Sequence, residues 1–255
     1  AVYDDDETEI YEGEVCRVTG LRHGVGACVY TSKQHQIYEG EWRLGREHGR
    51  GVLLSRDRRV IFDGEFVDGK MHGRGVYVFA NGDVYRGDWR ENCRHGAGDY
   101  VFARDQGTYS GDWRDNVRHG RGTLVHPDGS EYKGEWAQDK RHGRGVLRLA
   151  SGLAYDGAFA DDAFDGRGVC VYPDGQRYEG MWRHGRKDGR GTLAWPNGAS
   201  YEGRFKDDVI DGQGTLHISR PTPEGPDGKC LLVPVDLKTD IAKIHVKAGF
   251  DEEGN

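Results

Sequence analysis

Down this chain of 255 residues a Tyr-x-Gly-x-Trp recurs, and ten residues after each Tyr comes His-Gly-Arg-Gly or a close relative. Tyr38, Phe62, Tyr85, Tyr109, Tyr132, Tyr155, Tyr178 and Tyr201 mark one series, with steps of 24, 23, 24, 23, 23, 23 and 23 residues. A fixed period in this range means a stack of like supersecondary units, none of which buries a core alone. Such a chain builds from neighbour to neighbour and not around one centre.

Residues 130–152 show the unit. Tyr132, Gly134 and Trp136 fall on alternate positions with Lys133 and Glu135 between them, which is the period of a strand with one aromatic and one charged face. Gly143, Gly145, Leu147 and Leu149 alternate with Arg144, Val146 and Arg148 and predict a second strand. Residues 138–142, Gln-Asp-Lys-Arg-His, read as the turn between the two. Asn81-Gly82, Asp128-Gly129, Asp174-Gly175 and Asn197-Gly198 close one unit onto the next through turns that need positive φ. Each unit is thus a β-hairpin of about 23 residues.

Glycine inside a strand weakens it unless something packs on the bare backbone. Here it alternates with aromatic residues, whose rings can lie over it. A core of rings on backbone fits a chain with 41 Gly, 13 Tyr and 6 Trp but only 35% hydrophobic residues.

Nine units are readable. The first, Tyr11-Glu12-Gly13 with His23-Gly24-Val25-Gly26, has Val15 in place of Trp. The ninth runs from Tyr201 to Gly214. Asp165, Asp188 and Asp211 replace His in the last three units, and Phe66, Phe159 and Phe205 replace Trp in three. Over residues 11–218 the pattern resembles the MORN repeat (membrane occupation and recognition nexus), whose consensus is Tyr-x-Gly-x-Trp-x-x-Gly-x-x-His-Gly-x-Gly. The resemblance implies an all-β fold, an elongated, twisted antiparallel β-meander of about nine stacked hairpins with a grooved aromatic face.

Residues 1–10 read as an acidic lead-in, 11–218 as the repeat array, and 219–255 as a linker with a capping segment or the start of a further domain. In that last part Leu231–Leu237 suggests an edge strand, and Thr239–Ala248 a short helix with Thr239 as its N-cap. Net charge is −7, and the acids of residues 1–14 and 219–255 leave the array near +2. Asp4-Asp5-Asp6-Glu7 reads as a solvated segment or as a charged shield over an open sheet edge. Five cysteines without Cys-x-x-Cys spacing fit reduced thiols in the cytoplasm, with cytoskeletal or membrane-face assemblies as the expected setting. The start at Ala1 suggests a piece of a longer protein.

His48, His72, His95, His119 and His142 form one row. Equivalent positions in adjacent hairpins lie about 9.6 Å apart, too far to share a metal ion. Neither metal nor cofactor is expected, and His or Asp here is read as capping the turn. Arg50, Arg74, Arg121, Arg144, Arg167 and Arg190 stand between the two glycines of their units and point away from the rings. Glu41, Glu65, Asp112 and Glu135 share that outer face, so a soluble charge ladder is expected. The alternative is a weak contact of Arg50, Arg74, Arg121, Arg144 and Arg190 with anionic lipid. No positive groove points to nucleic acid, and no Gly-rich segment opens a helix to cradle phosphate. Repeated residues make poor catalytic candidates, so no enzyme activity is expected.

The aromatic face is the leading functional candidate. Tyr85, Trp89, Tyr109, Trp113, Tyr132, Trp136, Tyr178 and Trp182 should line a groove, because one layer cannot cover both sides of every ring. The expectation is a non-enzymatic scaffold that binds a helical or extended segment of another protein there. The resemblance points the same way, since several MORN proteins bind a helix or an extended peptide along that face. Homodimerisation through a chain end stays open. So does a role as the accessory array of a larger enzyme, since similar arrays precede lipid kinase and lysine methyltransferase domains.

Overall fold

A computed structural model describes residues 2–3, 9–31, 36–221 and 232–240, with side chains over 9–31 and 36–218. The chain packs as two compact units, Ala1–Lys140 and Arg141–Asn255. The first contains β1 (Val2–Tyr3), β2 (Glu9–Val15), β3 (Arg22–Tyr30), β4 (Gln36–Arg43), β5 (Arg46–Leu54), β6 (Val60–Val67), β7 (Lys70–Val78), β8 (Val84–Arg90), β9 (Cys93–Val101), β10 (Thr108–Arg114), β11 (Val117–Val125) and β12 (Glu131–Ala137). Each strand pairs antiparallel with the next. The second unit contains β13 (Lys140–Arg148), β14 (Ala154–Ala160), β15 (Ala163–Val171), β16 (Arg177–Arg183), β17 (Arg186–Ala194), β18 (Ser200–Lys206), β19 (Val209–Pro221) and β20 (Leu232–Asp240), again a meander of neighbours. The stacked-hairpin β-meander expected from the period is therefore present.

The turns inside the hairpins are tighter than the sequence suggests. Between β10 and β11 the chain reverses over Asp115 and Asn116, both left-handed at φ 49° and 73°. Gln138 and Asp139 do the same at 51° and 65°, and Lys140 already belongs to β13. His142 is therefore a strand residue and not part of the turn of its own hairpin. The register explains the next glycine. Gly111 faces Gly122 but Trp113 faces Arg118, so the second strand holds extra residues at a bulge. Gly120 sits in that bulge at φ 61°, where a side chain would be strained. The turns between repeats form as expected: Gly129 has φ 84° and donates its N–H to His126 O at 3.0 Å, and the Asp128 carboxylate accepts the Ser130 N–H at 2.8 Å.

The core is a ladder of rings on glycine. An added Cβ at Gly122 would lie 2.3 Å from the Tyr109 hydroxyl oxygen, which measures how closely that ring lies on the backbone. The phenol donates to the Asp112 carbonyl at 3.0 Å, and its counterparts in Tyr85, Tyr132, Tyr155 and Tyr178 do the same three residues on. Each Trp stands edge-on between two such rings: Trp113 meets Tyr109 at 5.1 Å and Tyr85 at 5.4 Å, with interplanar angles of 86° and 80°. Its indole N–H reaches back to the previous repeat, Trp113 to Gly98 O at 3.1 Å and Trp136 to Gly122 O at 3.2 Å. Phe66, Phe159 and Phe205 keep the edge contact without that donor. Trp113→Phe should therefore leave the fold intact and cost about 0.5–1.5 kcal/mol in urea denaturation.

In the second unit β19 and β20 pair from Gln213↔Asp240 to Pro221↔Leu232. Thr239 lies in β20 opposite Gly214, where it extends a sheet and does not cap a helix. Residues 241–248 of the expected helix lie outside the described residues, as do Asp4–Glu7 of the acidic lead-in and most of the 221–228 linker. Val2 and Tyr3 pair with Tyr11 and Ile10 at the start of the array.

Candidate interaction surfaces

The eight rings expected to line a groove are core residues. Tyr85, Tyr109 and Tyr178 are fully buried, and Tyr132, Trp89, Trp113, Trp136 and Trp182 are at most 5% exposed. The premise of one uncovered ring face fails because a second layer lies over the rings. Its members sit just before the His position, in residues that read as turn. Arg94 places its guanidinium 4.4 Å from the centroid of Trp113, and Arg118 lies 4.2 Å from that of Trp136. In the second unit Phe164 stacks on Tyr155 at 3.7 Å and 4°. The covering bases are tied down: Arg118 Nε donates to Asp139 at 3.0 Å and Arg141 Nε to Asp162 at 3.0 Å. Their side chains are 21% and 27% exposed, against 86% for Arg74 on the outer face. A signal for this layer is present in the sequence. From the third repeat to the ninth the position holds Met71, Arg94, Arg118, Arg141, Phe164, Lys187 and Ile210, and a position shared by long bases and apolar residues marks a site that covers rings, although the second repeat has Glu47 there.

On this face of the first unit a cleft of about 790 Å³ is open. Tyr100, Phe102, Leu124 and Pro127 form its apolar walls, with Arg94 and Arg118 between them and Asp105 and Gln106 on the loop above. Phe102 packs on Tyr100 at 4.8 Å and is only half-buried. The cleft lies where the series takes a 24-residue step, so its loop differs from the tight turns beside it. Asp83 anchors that loop, accepting the Tyr100 phenol and the Ala103 N–H at 2.6 Å each. Burial works against the Asp83 carboxylate, but hydrogen bonds from Ala103, Tyr100 and Asn81 outweigh it and hold its pKa below the usual range.

Burial also raises the phenol pKa of Tyr85, Tyr109 and Tyr155 above the ordinary 10.0, and takes Tyr178 up to about 12. The unfolded chain sheds these protons from about pH 10, while the fold retains them. The stabilisation is thus complete below pH 10 and is lost above it, by about 1.4 kcal/mol per pH unit for each such tyrosine. Melting followed by circular dichroism should drop steeply above pH 10, and tyrosinate absorbance should appear with unfolding and not before it.

The outer face carries charge, as expected, but its acids have a second task. Glu41, Glu65, Asp88 and Asp112 accept the backbone N–H of Arg50, Arg74, Ala97 and Arg121 at 2.9, 3.3, 3.1 and 2.8 Å, each over a bulge glycine. The bases are less paired. Arg74 meets Asp88 at 3.4 Å, and in register Arg50 faces Glu65 and Arg121 faces Glu135. In the second unit Arg144 faces Ala158, Arg167 faces Met181 and Arg190 faces Arg204, so the ladder loses its acids there. The bulge responds: Gly166 and Gly189 move to φ 99° and 109°, against 61° at Gly120.

The histidine row makes no metal cluster, since the described residues hold no group of three or more His, Cys, Asp or Glu placed for one. His48 and His95 instead turn Nδ1 toward the next hairpin's turn, 3.8 Å from Asp68 and 3.4 Å from Asp115. Asp165, which replaces His, accepts the His184 backbone N–H at 3.1 Å in the following turn.

A family model described as "MORN repeat" matches residues 38–58, 62–84, 85–105, 109–131, 132–154, 155–177, 178–200 and 201–219. It leaves out the hairpin that starts at Tyr11, although Tyr11 lies on Gly26 as the later tyrosines lie on theirs. No curated protein matches the chain. Among solved structures, the chain is similar to the SAS-4 (dCPAP) TCP domain of Drosophila melanogaster, solved with a proline-rich motif of Ana2 (dSTIL), at 14% identity and TM-score 0.34, covering 72% of this chain and 85% of that one. A mutant TCP10 domain of Danio rerio CPAP matches at 18% identity and TM-score 0.22, covering 75% and 95%. Likeness at this level carries no argument about partners.

Proposed function

The chain belongs to the MORN-repeat family, and from that premise we propose that it is a non-enzymatic scaffold that holds a segment of another protein in the Phe102 cleft. The observation that carries this reading is the cleft itself. At about 790 Å³ it has the size of a ligand pocket, and its apolar walls converge on two oriented guanidiniums. An apolar side chain from a helix or an extended peptide would enter between Phe102 and Leu124. Backbone carbonyls or acids beside it would meet Arg94 and Arg118. The scaffold acts in the cytoplasm, where Cys16, Cys28, Cys93 and Cys170, all unpaired, stay reduced. Acids interleaved with Arg50, Arg74 and Arg121 weigh against a lipid-contacting role for that face.

The test is a photo-crosslinking residue at Gln106, on the rim. It should give one dominant adduct in extract, and Phe102→Asp should abolish the adduct while circular dichroism stays unchanged. An equal adduct in the folded Phe102→Asp protein, or the same product from a crosslinker at the exposed Val209 of the second unit, would refute the reading.

A further inference from the structure

On the face opposite the rings, the second unit has a cleft of about 610 Å³ whose floor includes bare backbone at Gly191 and Gly203. Arg167, Arg190 and Arg204 stand around it, with Glu179, Glu202 and the exposed Met181 between them. The repeat accounts for the bases only in part. At the position of Arg204 the second to sixth units carry an acid (Glu41, Glu65, Asp88, Asp112 and Glu135) and the next two carry Ala158 and Met181, so the last unit has reversed the charge that most repeats hold. In register Arg204 lies directly opposite Arg190. Like charges in that position repel. Neither guanidinium has an ion-pair or hydrogen-bond partner among the described residues, whereas Arg167 is held by Glu179 at 3.2 Å.

We propose that this cleft binds an acidic peptide segment in extended form, with one carboxylate bridging Arg190 and Arg204 and a second reaching Arg167. Facing side chains on adjacent strands have Cβ atoms about 5 Å apart, which suits two guanidiniums on one carboxylate. Arg167 on β15 and Arg190 on β17 are two strands apart, about 9.6 Å. A polyproline-type segment presents the same side every third residue, about 9.3 Å along its axis. The carboxylate that bridges Arg190 and Arg204 would sit half a strand further out, about 12 Å from β15, and the long Arg167 and glutamate side chains span the difference of about 2.7 Å, so acids at i and i+3 can reach both sites when the segment crosses the strands. Glycine backbone leaves room for its main chain, and Thr192 and Gln213 line the same space with hydrogen-bonding groups. A bilayer fits less well, because a continuous anionic surface would meet Glu179 and Glu202 as well as the bases, whereas a segment with spaced acids can set its uncharged residues against them. The site lies in the other unit from the Phe102 cleft and does not depend on it.

The probe is a fluorescein-labelled peptide with Glu at every third position and Pro between, read by anisotropy on the full chain at low ionic strength. Arg204→Glu restores the residue type that most repeats carry, so the fold should be kept. It should weaken binding at least about tenfold. Arg121→Glu, on the first unit's outer face, should change it less than about twofold. A peptide of the same composition with its Glu residues contiguous should bind more weakly. Four results would overturn the proposal. They are no binding to the unaltered chain, equal loss in Arg121→Glu, equal binding of the contiguous peptide, and phosphatidylserine vesicles bound more tightly than the peptide with the same dependence on Arg204.

Discussion

Gly122→Ala should destabilise the first unit by about 3 kcal/mol or more, although it adds one methyl group. The methyl would lie 2.3 Å from the Tyr109 hydroxyl oxygen and 2.5 Å from Cζ, a separation no packed atoms tolerate. Tyr109 has nowhere to retreat. Trp113 and Trp136 hold its edges at 5.1 and 5.4 Å, and the Arg118 guanidinium lies 5.7 Å from its centroid. Backbone strain does not enter, because Gly122 lies outside the left-handed region. Gly129→Ala supplies the opposite case. Its φ is +84° and nothing lies within 4 Å of the new methyl, so it should cost only the left-handed penalty of about 1–2 kcal/mol. Urea denaturation of both variants separates ring contact from backbone conformation. Adding Tyr109→Ala to Gly122→Ala gives a cycle. If ring and glycine form one contact, the double variant should be markedly less destabilised than the sum of the singles. Additive costs would mean that the ring does not rest on that glycine.

This contact is the part of the fold most legible in the sequence. Tyr109, Gly111 and Trp113 alternate on one strand, and a glycine in a strand asks for something to cover it. The period then predicts the meander of hairpins. What the pattern hid was the second layer. Arg94, Arg118 and Arg141 precede His in a polar run, so they look like turn residues, and only the two-residue turn moves them into the strand. Once there, they alternate onto the ring side and close it. That shift of register converts an expected groove into a core, and it also removes His142 from the turn. The surviving cleft was legible only as an irregular step in the period, because an added loop residue carries no hydrophobic signature of its own. The outer-face acids were visible as charges, but not as acceptors for bulge amides, since a bulge is a register event that alternation cannot reveal.

Trp113→Ala combined with Trp136→Ala should unfold the central repeats of the first unit and not merely blunt a surface. Both rings are at most 5% exposed, and each carries an indole N–H bond to the previous hairpin. Replacing a buried Trp by Ala costs about 3–5 kcal/mol, and two in contact with the same Tyr109 ring will not act independently. The carbonyls of Gly98 and Gly122 would also lose their donors. Because each repeat is held by its neighbours, the loss should spread to the adjoining hairpins. Amide hydrogen exchange should show it as lost protection across β9 to β12, with β2 to β5 retained. Phe102→Asp should do the reverse. Its ring is half-buried at the cleft mouth and among the described residues meets only the Tyr100 ring, so native exchange protection should persist while partner capture fails. If the double Trp variant kept full protection, the ring ladder would not be the core. If Phe102→Asp lost protection as widely as the Trp pair, the cleft wall would be structural and the binding surface would have to lie elsewhere.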